Sequence, residues 1–424
     1  MSTQKFLAWV QAAPPAAAAA AAERLAQGFL YGGLPERQRQ SASLALAALL
    51  DHPSAAVRTR LAGKIADANE APPHLVLALA HDCPEIAAIV LARSPVLADA
   101  ELIERIAVGG AAAQMAIAAR PCLSAAVAAA LAEVGCLDAI IRLAANPGAG
   151  LLESAMRRMI ERFGAKARLR TALLARGPLP SAIVCDLAQA AASALVPAAR
   201  ARGYSPEAAN ALAREARERA IIKTAAGAAS EPQEMARLAR HLHAAGWLTA
   251  GLLLRALLCG HKELLEFALA ELSGVSMPRV IARVRRCNGA QFARLYRRAG
   301  MPMRLLPVFR AGLEALASDD ACGGRAGARL KRPLIQRVLY ACASINTGSL
   351  DHIFAALRCL DAQAAREEAR EALRAAILAA RREAHAKAAK LANTPAANVI
   401  ALAAKRKNEG ALIDVGASVS ELAA

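Results

Sequence analysis

The residues able to do chemistry here are histidines, cysteines, glycines and, above all, arginines. His241 and His243 stand two positions apart, which turns them to different faces of a helix, and no Cys-x-x-Cys or His-x-x-x-His pair occurs. No metal site is expected on those spacings. Gly323-Gly324-Arg325-Ala326-Gly327 lacks the Gly-Lys-Ser/Thr ending of a phosphate loop, and no strand pattern precedes it, so it reads as a linker. There is no Gly-x-Ser-x-Gly elbow, and nothing local assembles a triad or a carboxylate pair. The chain is expected to be non-enzymatic and to need no cofactor.

The arginines are the stronger signal. Arg158, Arg162, Lys166 and Arg170 recur every four residues, opposite Met156, Met159, Ile160 and Phe163, with Gly164 as a break in the helix. Arg279, Arg283 and Arg286 share one helical face, and Arg285, Arg294, Arg297 and Arg298 follow closely. Long basic side chains are the ordinary solvated face of an amphipathic helix. They are also what an anion-binding strip for an acidic protein or a nucleic acid requires. Trp247, flanked by apolar residues, reads as a core anchor rather than a base-stacking platform.

The elements that carry these residues follow from composition. Of 424 residues 56% are hydrophobic and only 3% aromatic, because alanine and leucine supply most of the apolar content. Alanine is the best helix former, and strands draw on β-branched and aromatic residues, so helices are expected throughout. The net charge is +18, and it is zoned: residues 51–150 carry −3 and residues 151–318 carry +14. Arginine provides 43 of the 53 bases, a bias that a GC-rich genome also produces. Nine cysteines without a close pair, no leader and no run of about 18 uncharged apolar residues suggest a reduced cytoplasmic protein with no membrane span.

Short phrases recur in the first half. Ala92-Arg93-Ser94-Pro95, Ala119-Arg120-Pro121, Ala145-Asn146-Pro147 and Ala175-Arg176-Gly177-Pro178 each follow an apolar stretch. Leu50-Asp51-His52-Pro53 and Ala80-His81-Asp82-Cys83-Pro84 form a second set. Proline ends one helix and suits the first turn of the next, so each unit is two short helices. Such a pair cannot bury its own apolar face and must stack on its neighbours. The Asp51, Val57-Arg58, Leu61 arrangement looks like that of HEAT and leucine-rich-variant repeats.

The expected architecture is all-α: an α-solenoid of HEAT-like short helical repeats, then a second helical domain and a long C-terminal helix. By segment, 1–40 is an Ala/Pro-rich arm with a short helix, 41–204 the repeat solenoid and 205–318 a basic helical domain. Residues 319–332 read as a flexible linker, 333–392 as C-terminal helices and 393–424 as a mobile basic tail. Within these, Ser205-Pro206-Glu207 and Ser230-Glu231-Pro232 are helix starts, and Gly246, Gly260 and Gly274 are helix ends or turns. Thr249 caps the buried Leu252-Leu253-Leu254 run. Two separate helices are expected at Asp351–Cys359 and 361–392.

The Gly-x-Leu-Thr block at 246–249 with Leu253-Leu254-Arg255-Ala256-Leu257, the phrase Ala268-Leu269-Ala270-Glu271-Leu272-Ser273-Gly274-Val275, and Leu295-Tyr296-Arg297-Arg298-Ala299-Gly300-Met301-Pro302 together resemble an uncharacterised alphaproteobacterial family, domain of unknown function 2336. The resemblance covers about residues 41–375. It implies an all-helical, HEAT-like protein and supplies no catalytic motif. The expected role is a scaffold for protein–protein interaction with an unidentified protein partner; the alternative is nucleic-acid binding through the arginine-rich 151–318 surface.

Overall fold

The structure is a computed structural model that describes residues 3–321, 330–343 and 351–392. Among these residues every regular element is a helix, apart from an isolated bridge between Leu123 and Ala149. The expected segment from Asn393 and most of the glycine-rich linker lie outside the described residues. The chain divides into two compact units, Met1–Leu252 and Leu253–Ala424.

The first unit opens with α1 (Thr3–Ala12), α2 (Pro15–Tyr31), α3 (Glu36–Leu50), α4 (Ala55–Ile65) and α5 (Pro73–Ala80). It continues through α6 (Pro84–Arg93), α7 (Asp99–Val108), α8 (Ala111–Ala118), α9 (Ala125–Val134) and α10 (Leu137–Ala145). Then come α11 (Glu153–Phe163), α12 (Ala167–Ala175), α13 (Ser181–Ala201), α14 (Pro206–Ala228) and α15 (Pro232–Ala244), and α16 (Ala250–Leu258) spans the division.

From α2 to α12 the even-numbered helices form one row, each packed on the next even helix; α7, α9, α11, α13 and α15 form another. The apolar spacing explains this. In the even helices Leu61, Ala62 and Ile65, then Ile86, Ala87 and Val90, then Ile117 and Ala118, then Ile140, Leu143 and Ala144 are all buried. Small alanines at these contacts let neighbouring helices approach closely, so the core needs few aromatic residues. Each recurring Ala-Arg-Pro or Ala-Asn-Pro phrase falls at the C-terminal end of an even helix, α6, α8, α10 or α12.

The polar residue of that phrase has a defined task. Arg93 donates to the Gly63 carbonyl at 3.1 Å, and Arg120 to the Leu91 and Ser94 carbonyls at 2.8 and 2.7 Å. Asn146 donates to the Ala118 and Arg120 carbonyls at 3.0 and 2.7 Å. Arg176 reaches the Asn146 carbonyl and, at 2.7 Å, that of Ala149. The last carbonyls of a helix have no partner within it and carry the negative end of its dipole, so a cation or amide from the next pair satisfies them. A ladder of such bonds links successive pairs. A parallel step exists at Gln114, which donates to the Ile106 carbonyl and accepts from the Cys136 N–H.

Helices α13 and α14 lie on either side of residue 204, where a change of domain is expected, and they pack along one another inside the first unit. Helix α13 is also long and apolar enough, by length and composition, to cross a membrane. It carries Asp186, whose carboxylate is bonded within the first unit to His241 and Arg157.

The second unit contains α17 (Lys262–Ser273), α18 (Met277–Arg285), α19 (Ala290–Arg298), a 3-10 turn (Met303–Leu305), α20 (Leu306–Ala321), α21 (Arg332–Ala343) and α22 (Asp351–Ala392). Asp319 to Ala321, placed by the sequence in a linker, complete α20. The two expected C-terminal helices are one continuous 42-residue helix, because no proline or glycine interrupts 351–392. The aromatic core of the second unit is Tyr296 between Phe292 and Phe309, with ring centroids 6.1 and 5.4 Å away. Gly274 ends α17 with φ +64°, a left-handed conformation suited to glycine, and its N–H returns to the Ala270 carbonyl. The Thr249 hydroxyl accepts from the Leu252 N–H, and Leu252, Leu253 and Leu254 are buried as expected.

Candidate partner-binding surface

The first arginine run folds as its spacing suggests. In α11, Ala155, Met156, Met159 and Ile160 are buried, and the arginines take the other side. Gly164 does end the helix, so Arg158 and Arg162 lie on α11 while Arg170 lies on α12 and Lys166 is the N-cap between them. Three of the four basic groups have partners inside the unit. Arg158 forms a fork with Glu133 at 2.8 and 2.9 Å and also meets Glu161. Arg162 donates to the Ala132 and Gly135 carbonyls at the end of α9, and its guanidinium lies over the Phe163 ring. Arg170 donates to the Gly164 and Ala165 carbonyls. Lys166 alone is exposed without a carboxylate at ion-pair distance among the described residues. Most of this stripe therefore ties α11 to α9, and α12 to the turn that follows α11.

The second run is different. Arg279 and Arg283 lie on α18 and Arg286 is its C-cap, on the face opposite buried Val280 and Val284. Arg294, Arg297 and Arg298 lie on α19 opposite Phe292, Leu295 and Tyr296, and the two helices pack together. Arg283 is half-buried and the other five are exposed. Among the described residues no carboxylate comes within ion-pair distance of any of these six, and none donates a hydrogen bond. The aromatic residues of this segment are all buried, so it presents charge without a stacking ring.

A third cluster was not legible in the sequence, because its members are about 55 residues apart. His241 Nε2 lies 2.9 Å from Asp186 Oδ1, Arg157 Nε is 3.4 Å from the other carboxylate oxygen, and Trp247 meets the imidazole edge-on. Trp247 is half-buried rather than a full core anchor, with the Arg217 guanidinium over one face. A cleft of about 680 Å³ adjoins this cluster, lined by Glu153, Arg157, Glu234, Arg237, Arg240 and His241. The backbone N–H of Ser181 donates to Glu234 and holds its carboxyl below the ordinary range. Cys185, next to Asp186 in the chain, is fully buried, and burial pushes its thiol up to about 12, so it supplies no thiolate to His241. No group of three metal-ligating side chains occurs among the described residues. Among the described cysteines Cys185, Cys259 and Cys287 are buried, and Cys122 and Cys359 are exposed.

These features define an all-helical protein in which one set of arginines joins helix pairs and another faces solvent. The chain belongs to the family described as uncharacterised protein conserved in bacteria (DUF2336), whose model matches residues 86–348. No curated protein and no solved structure matches it.

Proposed function

We propose that the protein is a non-enzymatic scaffold of the bacterial cytoplasm, an α-solenoid of HEAT-like repeats extended by a basic helical unit, that docks an acidic protein partner on α18 and α19. The narrower placement among alphaproteobacterial members and the absence of a membrane span are part of the same reading. One observation carries it: Arg279, Arg283, Arg286, Arg294, Arg297 and Arg298 have no carboxylate at ion-pair distance among the described residues, whereas Arg158, Arg162 and Arg170 of the first run all have partners inside the first unit. Concentrated unpaired charge on one face raises the local potential and steers an opposite charge to it. Crosslinking mass spectrometry in native cells tests the proposal. Reproducible crosslinks from residues next to α18 and α19 to an acidic protein are expected, and their absence counts against it.

A second reading rests on the same unpaired cations. They suit a phosphate backbone, and such binding weakens steeply with salt. A gel shift at two salt concentrations separates the two. Binding of duplex DNA at low salt that is lost on Arg297→Glu with Arg298→Glu favours nucleic acid.

A further inference from the structure

The second unit also holds a cleft of about 650 Å³ between α17, α18 and α20. Ile281, Val284, Leu313 and Leu316 supply its apolar lining. Glu266 lines it too, with only 8% of its surface exposed. No described residue donates a hydrogen bond to that carboxylate. The neighbouring polar groups are engaged elsewhere: Asn288 donates to Glu314, and Arg310 donates to the Cys287 carbonyl at 3.0 Å. A largely buried carboxylate without a protein donor, opening only on a cleft, is costly unless a ligand or solvent there meets it. Burial and the nearby Glu263 hold its pKa above the ordinary range.

Three cations, Lys262, Arg285 and Arg286, also line it, with the Glu314 carboxylate that accepts from Asn288. Arg285 and Arg286 are exposed and have no carboxylate at ion-pair distance among the described residues. Arg285 is close enough to act on Glu266 electrostatically, yet the two form no ion pair. An unmatched negative group and unmatched positive groups therefore share one cleft with hydrocarbon walls. A simple amine would meet repulsion from Arg285, Arg286 and Lys262, and a simple carboxylate would meet it from Glu266. A molecule carrying both charges meets Glu266 as well as Arg285 and Arg286.

We propose that this cleft binds a small apolar zwitterion, with its ammonium on Glu266, its carboxylate on Arg285 and Arg286, and its hydrocarbon body against Ile281, Val284, Leu313 and Leu316. The volume lies within the roughly 300–1,000 Å³ of small-molecule sites. A dipeptide with two leucyl side chains has the right charges and an apolar body.

Isothermal titration of the full chain with leucyl-leucine tests this, beside its N-acetylated form, which lacks the ammonium, and its C-terminal amide, which lacks the carboxylate. Saturable one-site binding is expected for the free dipeptide, weakened about tenfold or more by either block, the effect of losing a charge-assisted hydrogen bond. Glu266→Gln should weaken the free dipeptide by a similar factor while leaving the acetylated form unchanged. Arg286→Ala, at an exposed position that the fold does not need, keeps the test open should Glu266→Gln fail to fold, and should selectively weaken the carboxylate-bearing forms. No saturable binding at millimolar dipeptide, or equal binding of the free and blocked forms, overturns the proposal. Neither result bears on crosslinks made by α18 and α19.

Discussion

Arg120 donates from Nη2 to the carbonyl of Ser94 at 2.7 Å, so a cation at the end of α8 closes the open end of α6 one repeat earlier. The same position is Arg93, Asn146 and Arg176 in the neighbouring repeats, and each reaches back about one repeat. A motif that looks like helix punctuation in the sequence is thus also the polar link between helix pairs.

Arg120→Ala removes two such bonds and leaves carbonyls without a partner. A loss of about 2–3 kcal/mol is expected by chemical denaturation of the full chain, since hydrogen bonds to charged groups contribute about 1.5–3 kcal/mol each before relaxation. Arg120→Lys should recover only part of this, because an ammonium cannot reach both carbonyls as a fork does. Equal stability of wild type and Arg120→Ala would remove the ladder's structural role.

Arg58 grips both oxygens of Asp82 at 2.7 and 3.0 Å and holds that carboxyl below its ordinary value of 3.8. A depressed acid contributes stability that is complete above its unfolded pKa and is lost as pH falls through the folded one. Asp82→Asn should therefore lower Tm at pH 7, and the gap to wild type should close as pH drops below about 4. A gap that persists undiminished in acid would show that the ion pair is not its source.

Tyr296 is fully buried between two phenylalanines, and its hydroxyl has no hydrogen-bond partner among the described residues. Burial pushes its pKa well above the usual value. Tyr296→Phe removes an unsatisfied polar group and keeps the ring, so it should raise stability by about 1 kcal/mol. A clear loss of stability would mean that the hydroxyl is satisfied in solution.

Glu266 has the opposite linkage to Asp82. Its folded pKa is raised, so ionisation disfavours the folded state as pH rises through the ordinary carboxylate range and beyond. Glu266→Gln should stabilise the protein near pH 8 by about 1 kcal/mol and have little effect near pH 4. Destabilisation at pH 8 would point to an ion pair for Glu266 rather than an unmatched charge.

Much of the fold was legible because it rests on local rules. Alanine, leucine and helix-spaced apolar residues indicated helices, and the prolines located their ends, as at α6, α8 and α10. The Ser205 and Thr249 caps and the Gly274 end are as local as the residues that make them. What escaped was non-local. The spacing of Arg158, Arg162 and Arg170 describes a stripe, but only the fold brings Glu133 and the α9 carbonyls against it. The charge of Arg279 to Arg298 looks similar in sequence, and the difference lies wholly in what packs nearby. Asp186 and His241 meet across 55 residues, and nothing periodic announces them. The fusion of two expected helices into α22 was visible in the lack of any breaker between 351 and 392.

The docking of an acidic partner by α18 and α19 is tested most directly by comparing native-cell crosslinks of two folded variants. Arg283→Glu, Arg297→Glu and Arg298→Glu together reverse the unpaired face, and Arg158→Glu alone disturbs a matched arginine of the first unit. Loss of the partner's crosslinks in the triple variant, with retention in Arg158→Glu, is the expected result. Retention of the same crosslinks in the triple variant, or their loss only in Arg158→Glu, would contradict it.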